Sequence, residues 1–399
     1  MPTARDFILG PWRAVPVLGI TQILSWGAIF YTPVLILPLI AAERGWSIAF
    51  VMAGLSVGLL TAGLVAPVVG RTIDQFGGHL TMSAGSLIAA LGLVLIVHVQ
   101  HPVAYLAVWV VLGAAMASNL YDPAFATLGR IFGSAARRPI TSLTLIGGFA
   151  STVSWPVTHL LIEAVGWRGT YLVYAGLFAL VAAPLHAFAL PRERADAHTP
   201  EMAAGQAPAA VLPSAGLPFL LVASAFAIYA FVPSGLSAHL LAIFARSGID
   251  AGTAVAIGAL FGPAQVGARL IEFIFARNLH PIWVARFALA LLLAGFTMLA
   301  WLGFSAPVAV AFVVMFGAAN GLITITRGAL PLALFGAAGY GRLVGRLAAP
   351  FLLVQAVAPL VMAFVVERVS DPAALALAAV CALVALVCFA AIRRPGGSS

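Results

Sequence analysis

"GRTIDQFGGH", running from Gly70 to His79, separates two apolar runs at 48–69 and 80–99. Each run is about 20 residues long, enough to cross the ~30 Å hydrocarbon core of a bilayer as a helix. The stretch between them is too short for a domain. Its glycines allow helix ends to come close, and a carboxylate such as Asp74 is stabilised by a positive helix N-terminus or a nearby arginine. It reads as a tight connection at the membrane surface between two spans.

Working outward, the same pattern covers the chain. The protein has 399 residues, 63% hydrophobic and 8% charged, against roughly 45–50% and 25% in soluble domains. Apolar runs predict twelve membrane helices, at 16–40, 48–69, 80–99, 103–128, 140–165, 170–190, 217–244, 251–275, 282–304, 307–334, 347–366 and 372–392. The expected class is an all-α integral membrane protein. The segment 191–216 is rich in charge, Pro, Ala and Gly and reads as a linker between an N-terminal bundle (1–190) and a C-terminal bundle (217–399). The first apolar run is too long for a signal-peptide core and reads as a retained helix.

All basic residues are arginine, giving a formal charge of +8. With the N-terminus taken as cytoplasmic, the inner segments hold Arg5, Arg13, Arg71, Arg130, Arg137, Arg138, Arg192, Arg194, Arg277, Arg342, Arg346, Arg393 and Arg394. The outer segments hold Arg44, Arg168, Arg246 and Arg368. That imbalance predicts both termini and the linker inside. The arginines are single and lack interleaved aromatics, so no nucleic-acid partner is expected. Cys381 and Cys388 stand alone as packing thiols. No Walker loop, metal-binding run or Ser-His-Asp arrangement is present, so neither a cofactor nor an enzymatic activity is expected.

The two halves repeat each other. Arg71-Thr-Ile-Asp74 has its counterpart in Arg269-Leu-Ile-Glu272, and "GAAMASNLYDPAFATLGRIFG" from Gly113 parallels "GAANGLITITRGALPLALFG" from Gly317. Such a duplication suits two bundles that rock about a site at their interface.

The opening stretch resembles the G-x-x-x-D-R-x-G-R-R signature of the major facilitator superfamily. Gly70, Asp74 and Gly77 match it, while Gln75, Gly78 and His79 replace basic residues. The resemblance implies two pseudo-symmetric six-helix bundles and alternating access, with Gly70, Arg71, Asp74, Gly77 and Glu272 as gating candidates; Arg71, Arg130 or Arg342 can substitute for the missing basic residues. "SWGAIFYTPVLILPLIAAERGWS" (25–47) and "GGFASTVSWPVTHLLIEAVGWRGTY" (147–171) are similar to the bacterial monocarboxylate and oxalate/formate type carriers. The G-P-x-x-G of drug antiporters is absent from the fifth helix.

Charges left inside spans mark the expected site. An ionised side chain near mid-membrane costs on the order of 2.5–3.5 kcal/mol on insertion scales, so it faces a wet cavity or a partner. Asp122 and Arg327 fall at nearly equivalent places in the repeat. Arg327 offers a planar fork for a carboxylate, and Asp122 a carboxyl whose proton affinity responds to burial and nearby charge. The alternative is a permanent salt bridge. Arg269 is a second candidate anion site, implied by the basic residue that the similar carriers use in helix eight; paired with Glu272 it serves packing or an inner gate instead. Tyr31, Asn119, Trp155, Tyr229 and Asn320 complete the candidate contacts, and His159 is a possible relay. The expectation is a monomeric, proton-coupled secondary transporter in a bacterial inner membrane, moving a small organic solute, an organic anion first. The alternative is multidrug or toxic-compound efflux by proton antiport.

Overall fold

The computed structural model describes residues 6, 10–192, 216–276 and 278–392, and among these it is helical, with no strand. Most of the 191–216 linker, and Arg5, Arg194, Arg277, Arg393 and Arg394 of the charge count, lie outside the described residues.

In the first half, α1 (Ala14–Trp26) passes through a π-helical turn, Gly27–Tyr31, into α2 (Thr32–Arg44). Helix α3 (Ile48–Phe76) begins where the Ser47 hydroxyl accepts from the Phe50 N–H at 3.1 Å, satisfying one of the amides a helix start leaves bare. It also runs well past the apolar stretch 48–69, so Arg71 and Asp74 are helical. An apolar count ends where hydrocarbon ends, whereas the backbone goes on hydrogen-bonding through the headgroup region. Only Gly77, at φ +88°, separates α3 from α4 (Gly78–His98), and a left-handed φ of this kind favours glycine.

Then come α5 (Pro102–Asn119), α6 (Tyr121–Phe132), α7 (Arg137–Gly147) and α8 (Ala150–Leu177), followed by π-helical turns at Phe178–Ala182 and Leu185–Ala189. The chain folds back twice within this 88-residue run. A Cβ on Gly147 would meet the Tyr121 phenol oxygen at 2.7 Å, although the two residues are 26 positions apart in the numbering. The hydroxyls of Thr158 and Tyr174 are 2.7 Å apart, where a straight helix would put about 24 Å between their Cα atoms. The reversals sit at Gly133 (φ +56°) and Gly166 (φ +71°). Counted as three crossings, the run brings the ten long apolar segments to twelve spans.

The second half holds α9 (Leu217–Arg246), α10 (Ala251–Ala259), α11 (Phe261–Ile271) with a π turn Glu272–Ala276, α12 (Pro281–Leu302), α13 (Ala306–Phe335), α14 (Tyr340–Arg368) and α15 (Asp371–Ala391). The run expected at 251–275 is thus divided at Leu260. The helix expected at 347–366 begins earlier, at Tyr340.

Two compact units result. The first comprises Met1–Leu212 with Phe335–Ala349, so the start of α14 packs with the first helices; the second comprises Pro213–Leu334 with Pro350–Ser399. Tyr105, Trp109, Phe125 and Tyr171 are fully buried in the first, and Phe226, Phe244, Phe312 and Phe389 in the second. Outward, Leu64, Leu180, Phe188, Phe275 and Trp301 are more than two-thirds exposed. Large apolar side chains on a helix surface suit a hydrocarbon solvent, in which the helices satisfy their own backbone groups.

Candidate functional site

In the first unit the polar centre is built around a broken helix. Leu120 is extended (φ −80°, ψ −163°), so α5 ends at Asn119 and α6 starts at Tyr121. The sequence predicts a single helix over 103–128 interrupted by Pro123; the structure makes it two. Pro123 has no N–H and its ring collides with the carbonyl four residues earlier, that of Asn119. Asp122 therefore lies, half-buried, in the first turn of α6, where the exposed amides favour a carboxylate. Its charge reaches the Tyr340 phenol.

Around the break, Asn119 is fully buried. Its side chain accepts from Ser86 at 2.9 Å and donates to the Ala115 carbonyl at 3.0 Å. Tyr31 and Trp155 meet edge to face at 6.5 Å between centroids. Trp26, which the sequence did not single out, joins them: its ring lies 6.1 Å from Tyr31, 4.9 Å from Phe30 and 5.1 Å from Tyr121, the residue beside Asp122. A π-helical turn crowds these rings together, and nothing local in the sequence announces such a turn. Trp155 is half-exposed. His159 points elsewhere, its Nε2 3.3 Å from Glu163 in a largely exposed pair.

The second unit brings together three of the expected contacts, Tyr229, Asn320 and Arg269, through Gln265. The Tyr229 hydroxyl donates to Asn320 at 2.9 Å, and the Asn320 amide donates to Gln265 at 3.0 Å. Arg269 donates to the same Gln265 oxygen at 3.3 Å and to the Gly321 carbonyl at 3.4 Å. Tyr229, Arg269 and Glu272 are all buried. Arg327 is near enough for its charge to act on Tyr229, and its guanidinium lies 3.5 Å from the centroid of the Phe351 ring, a cation–π contact that favours one orientation of the planar group. Thr326 beside it is buried and bonds back to Ile323 at 2.9 Å.

The Gly70–His79 segment forms a junction within the first unit. Gly70 is where α3 crosses the start of α14, against the backbone of Gly341 and Gly345; any side chain there would collide with that backbone. One turn on, both oxygens of Asp74 accept backbone N–H groups, from Gly341 and Arg342, each at 2.8 Å. Arg130 supplies the positive charge at the other side, donating to the carbonyls of Ile73 and Asp74 and so capping the end of α3. Arg71 is exposed. The partners of Asp74 are backbone amides, which no residue-type pattern can single out.

Residues 18–335 match the family model of the Major Facilitator Superfamily. A stretch of 115 residues, 28% of the chain, is 34% identical to monocarboxylate transporter 3 of Gallus gallus and of Mus musculus; it spans only 20% and 23% of those proteins. Among solved structures, the human organic anion transporter MFSD10 (TETRAN) superposes with a TM-score of 0.74 at 18% identity, over 95% of this chain and 99% of that one. The E. coli fucose:proton symporter FucP gives 0.72 at 12% identity, over 96% and 98%. At such identities the likeness is one of fold. Together with the twelve apolar spans, the family match establishes that the chain is a multi-pass membrane transporter belonging to the Major Facilitator Superfamily.

Proposed function

We propose that this transporter moves a small organic anion, a monocarboxylate first among the classes, coupled to protons by alternating access. The observation that carries the reading is Arg327, a guanidinium inside a membrane helix whose plane is fixed by Phe351 and whose fork matches a carboxylate. Asp122, at a helix N-terminus inside another span, is the proposed proton carrier, a carboxyl on which the arrival of substrate charge would act. Arg269, with Gln265, Asn320 and Tyr229, forms the proposed polar wall of the site, and the Asp74 junction with Gly70, Gly77 and Arg71, together with Glu272, the proposed gate. The names of the similar proteins, a monocarboxylate transporter, an organic anion transporter and a proton symporter, agree with this choice. We propose a monomer in a bacterial inner membrane, with the termini inside on the arginine distribution.

One observation favours a second reading, efflux of lipophilic cations. Trp26 joins Tyr31 and Tyr121, and Tyr31 meets Trp155, so the cluster reaches the residue next to Asp122 in sequence; aromatic rings near a carboxylate suit a cation. A thermal-shift screen of the purified protein against mono- and dicarboxylates and lipophilic cations, repeated with Arg327→Gln, separates the two. A carboxylate that stabilises wild type but not the variant is the expected result. Stabilisation by cations alone, lost in Asp122→Asn, would replace the anion reading with the efflux one.

A further inference from the structure

The broken helix has a specific keeper. In a continuous helix the Asn119 carbonyl would accept from the N–H of residue 123, which is a proline. Its neighbours keep their ladder bonds: Leu120 N–H donates to Met116 at 3.1 Å, and Ala124 N–H to Leu120 at a long 3.4 Å. The donor missing at Asn119 comes from another helix. Gln22 on α1 gives its amide nitrogen to the Asn119 carbonyl at 2.6 Å and to that of Leu120 at 3.3 Å. It is fully buried, and its own oxygen accepts the Trp26 indole N–H at 3.1 Å. Both N–H groups of the amide are used and its oxygen receives one donor.

A second arm holds the Asn119 side chain. Ser86 donates to Asn119 Oδ1 at 2.9 Å; His186 Nδ1 lies 3.1 Å from Ser86, and His186 Nε2 lies 2.9 Å from the Thr21 hydroxyl. All four residues are buried. One assignment satisfies the chain with a neutral ring: Thr21 donates to Nε2, Nδ1–H donates to Ser86, and Ser86 donates to Asn119. Thr21 and Gln22 are adjacent on α1, so both arms start from one helix and end on the residue before the break.

We propose that Gln22 is a positioning residue for Asp122: by supplying the donor that Pro123 lacks, it holds the helix open at Leu120, keeps Asp122 at a helix N-terminus, and ties that terminus to the aromatic cluster through Trp26. The inference rests on the reading of Asp122 as the proton carrier. The elements packed against α6 carry other charged and titratable groups, among them Arg342 and Arg346 on α14, whose Tyr340 lies against Gly129. Arg71, Asp74, His79, Arg137 and Arg138 lie toward the end marked by Arg130, about 12 Å along the helix from Asp122. His98 and Tyr105 lie toward the far ends of α4 and α5, and Tyr340 is one group its charge reaches.

The test follows the protonated-carboxyl stretch of Asp122 by infrared titration of the full-length protein in lipid nanodiscs, assigned by its loss in Asp122→Asn. Losing the helix N-terminus disfavours the carboxylate, so Gln22→Leu is expected to raise the midpoint by about one pH unit. Pro123→Ala restores a backbone donor to Asn119 and closes the break, so it is expected to raise the midpoint alike, and Gln22→Leu is expected to add nothing on that background. A general loss of packing would instead add its effect to that of Pro123→Ala. An assigned band whose midpoint stays put in both variants, or shifts additively, overturns the inference and leaves Asp122 as the proton carrier. If Asp122→Asn removes no titrating band, both fall. Should Gln22→Leu fail to fold, Pro123→Ala decides alone, an unmoved midpoint counting against the inference.

Discussion

Asp74 owes its place to two amides at the start of α14, and the charge is well used there because those N–H groups have no partner in their own helix. A carboxylate at such a terminus contributes 0.3–1 kcal/mol in ordinary surroundings and up to ~2 kcal/mol when partly buried. Asp74→Ala is accordingly expected to speed hydrogen exchange at the Gly341 and Arg342 amides by up to about thirtyfold, with Asp74→Asn in between because a neutral amide oxygen still accepts one bond. Unchanged exchange in Asp74→Ala would show that water replaces the carboxylate without loss. The position of Asp74 was legible in the sequence because Gly70, Asp74 and Gly77 keep a recognisable spacing. Its partners were not, since they lie 267 and 268 residues away and contribute only backbone. Arg130 was legible only as one of several candidates to replace the missing basic residues; the structure shows it bonding to the end of α3 itself.

At the level of the helix, the prolines follow one chemical rule with two outcomes on display. Each removes the N–H that would have served the carbonyl four residues earlier, and inside a membrane that carbonyl needs another donor. Pro123 bares Asn119, which Gln22 serves. Pro359 bares Gln355, whose carbonyl accepts the Ser234 hydroxyl of α9 at 2.7 Å. The first site breaks its helix, whereas α14 continues through the second from Tyr340 to Arg368. Polar bonds between membrane helices average about 0.6 kcal/mol and reach ~1.7 kcal/mol. Ser234→Ala is expected to destabilise the protein within that range in a detergent unfolding titration. Pro359→Ala, which returns an N–H to Gln355, is expected to cancel the loss; a penalty that persists in the double variant would mean Ser234 acts through some other contact. Apolar run lengths made the spans readable, and Pro123 flagged an interruption. The break at Leu120 and the partner at Gln355 were hidden, because what decides them is a side chain 97 or 121 residues away.

Across the whole molecule the internal repeat is legible twice, in letters and in packing. Gly113 lies against the Gly58 backbone on α3, and a Cβ on its counterpart Gly317 would come within 2.6 Å of the Phe261 carbonyl on α11, so each unit uses the same glycine to seat one helix on another. The halves then diverge at one position. Nine residues past Gly113 stands Asp122 at the start of a new helix, and nine past Gly317 stands buried Thr326 in an unbroken one, followed by Arg327. A duplicated scaffold carrying an acid in one copy and a base in the other suits coupling two ligands of opposite charge, and this difference between the copies motivates the assignment of the proton to Asp122. A gradient of one pH unit is worth about 1.4 kcal/mol per proton, enough for up to tenfold accumulation of a symported solute. In proteoliposomes loaded with a carboxylate found by the thermal-shift screen, wild type is expected to accumulate it under an imposed pH gradient. Asp122→Asn is expected to hold the ratio near one while still exchanging labelled for unlabelled solute, because exchange returns the carrier loaded and needs no net proton movement. Accumulation that survives in Asp122→Asn would remove the acid from coupling. Loss of exchange as well would mean that the carboxylate is needed for substrate binding or for the conformational cycle itself.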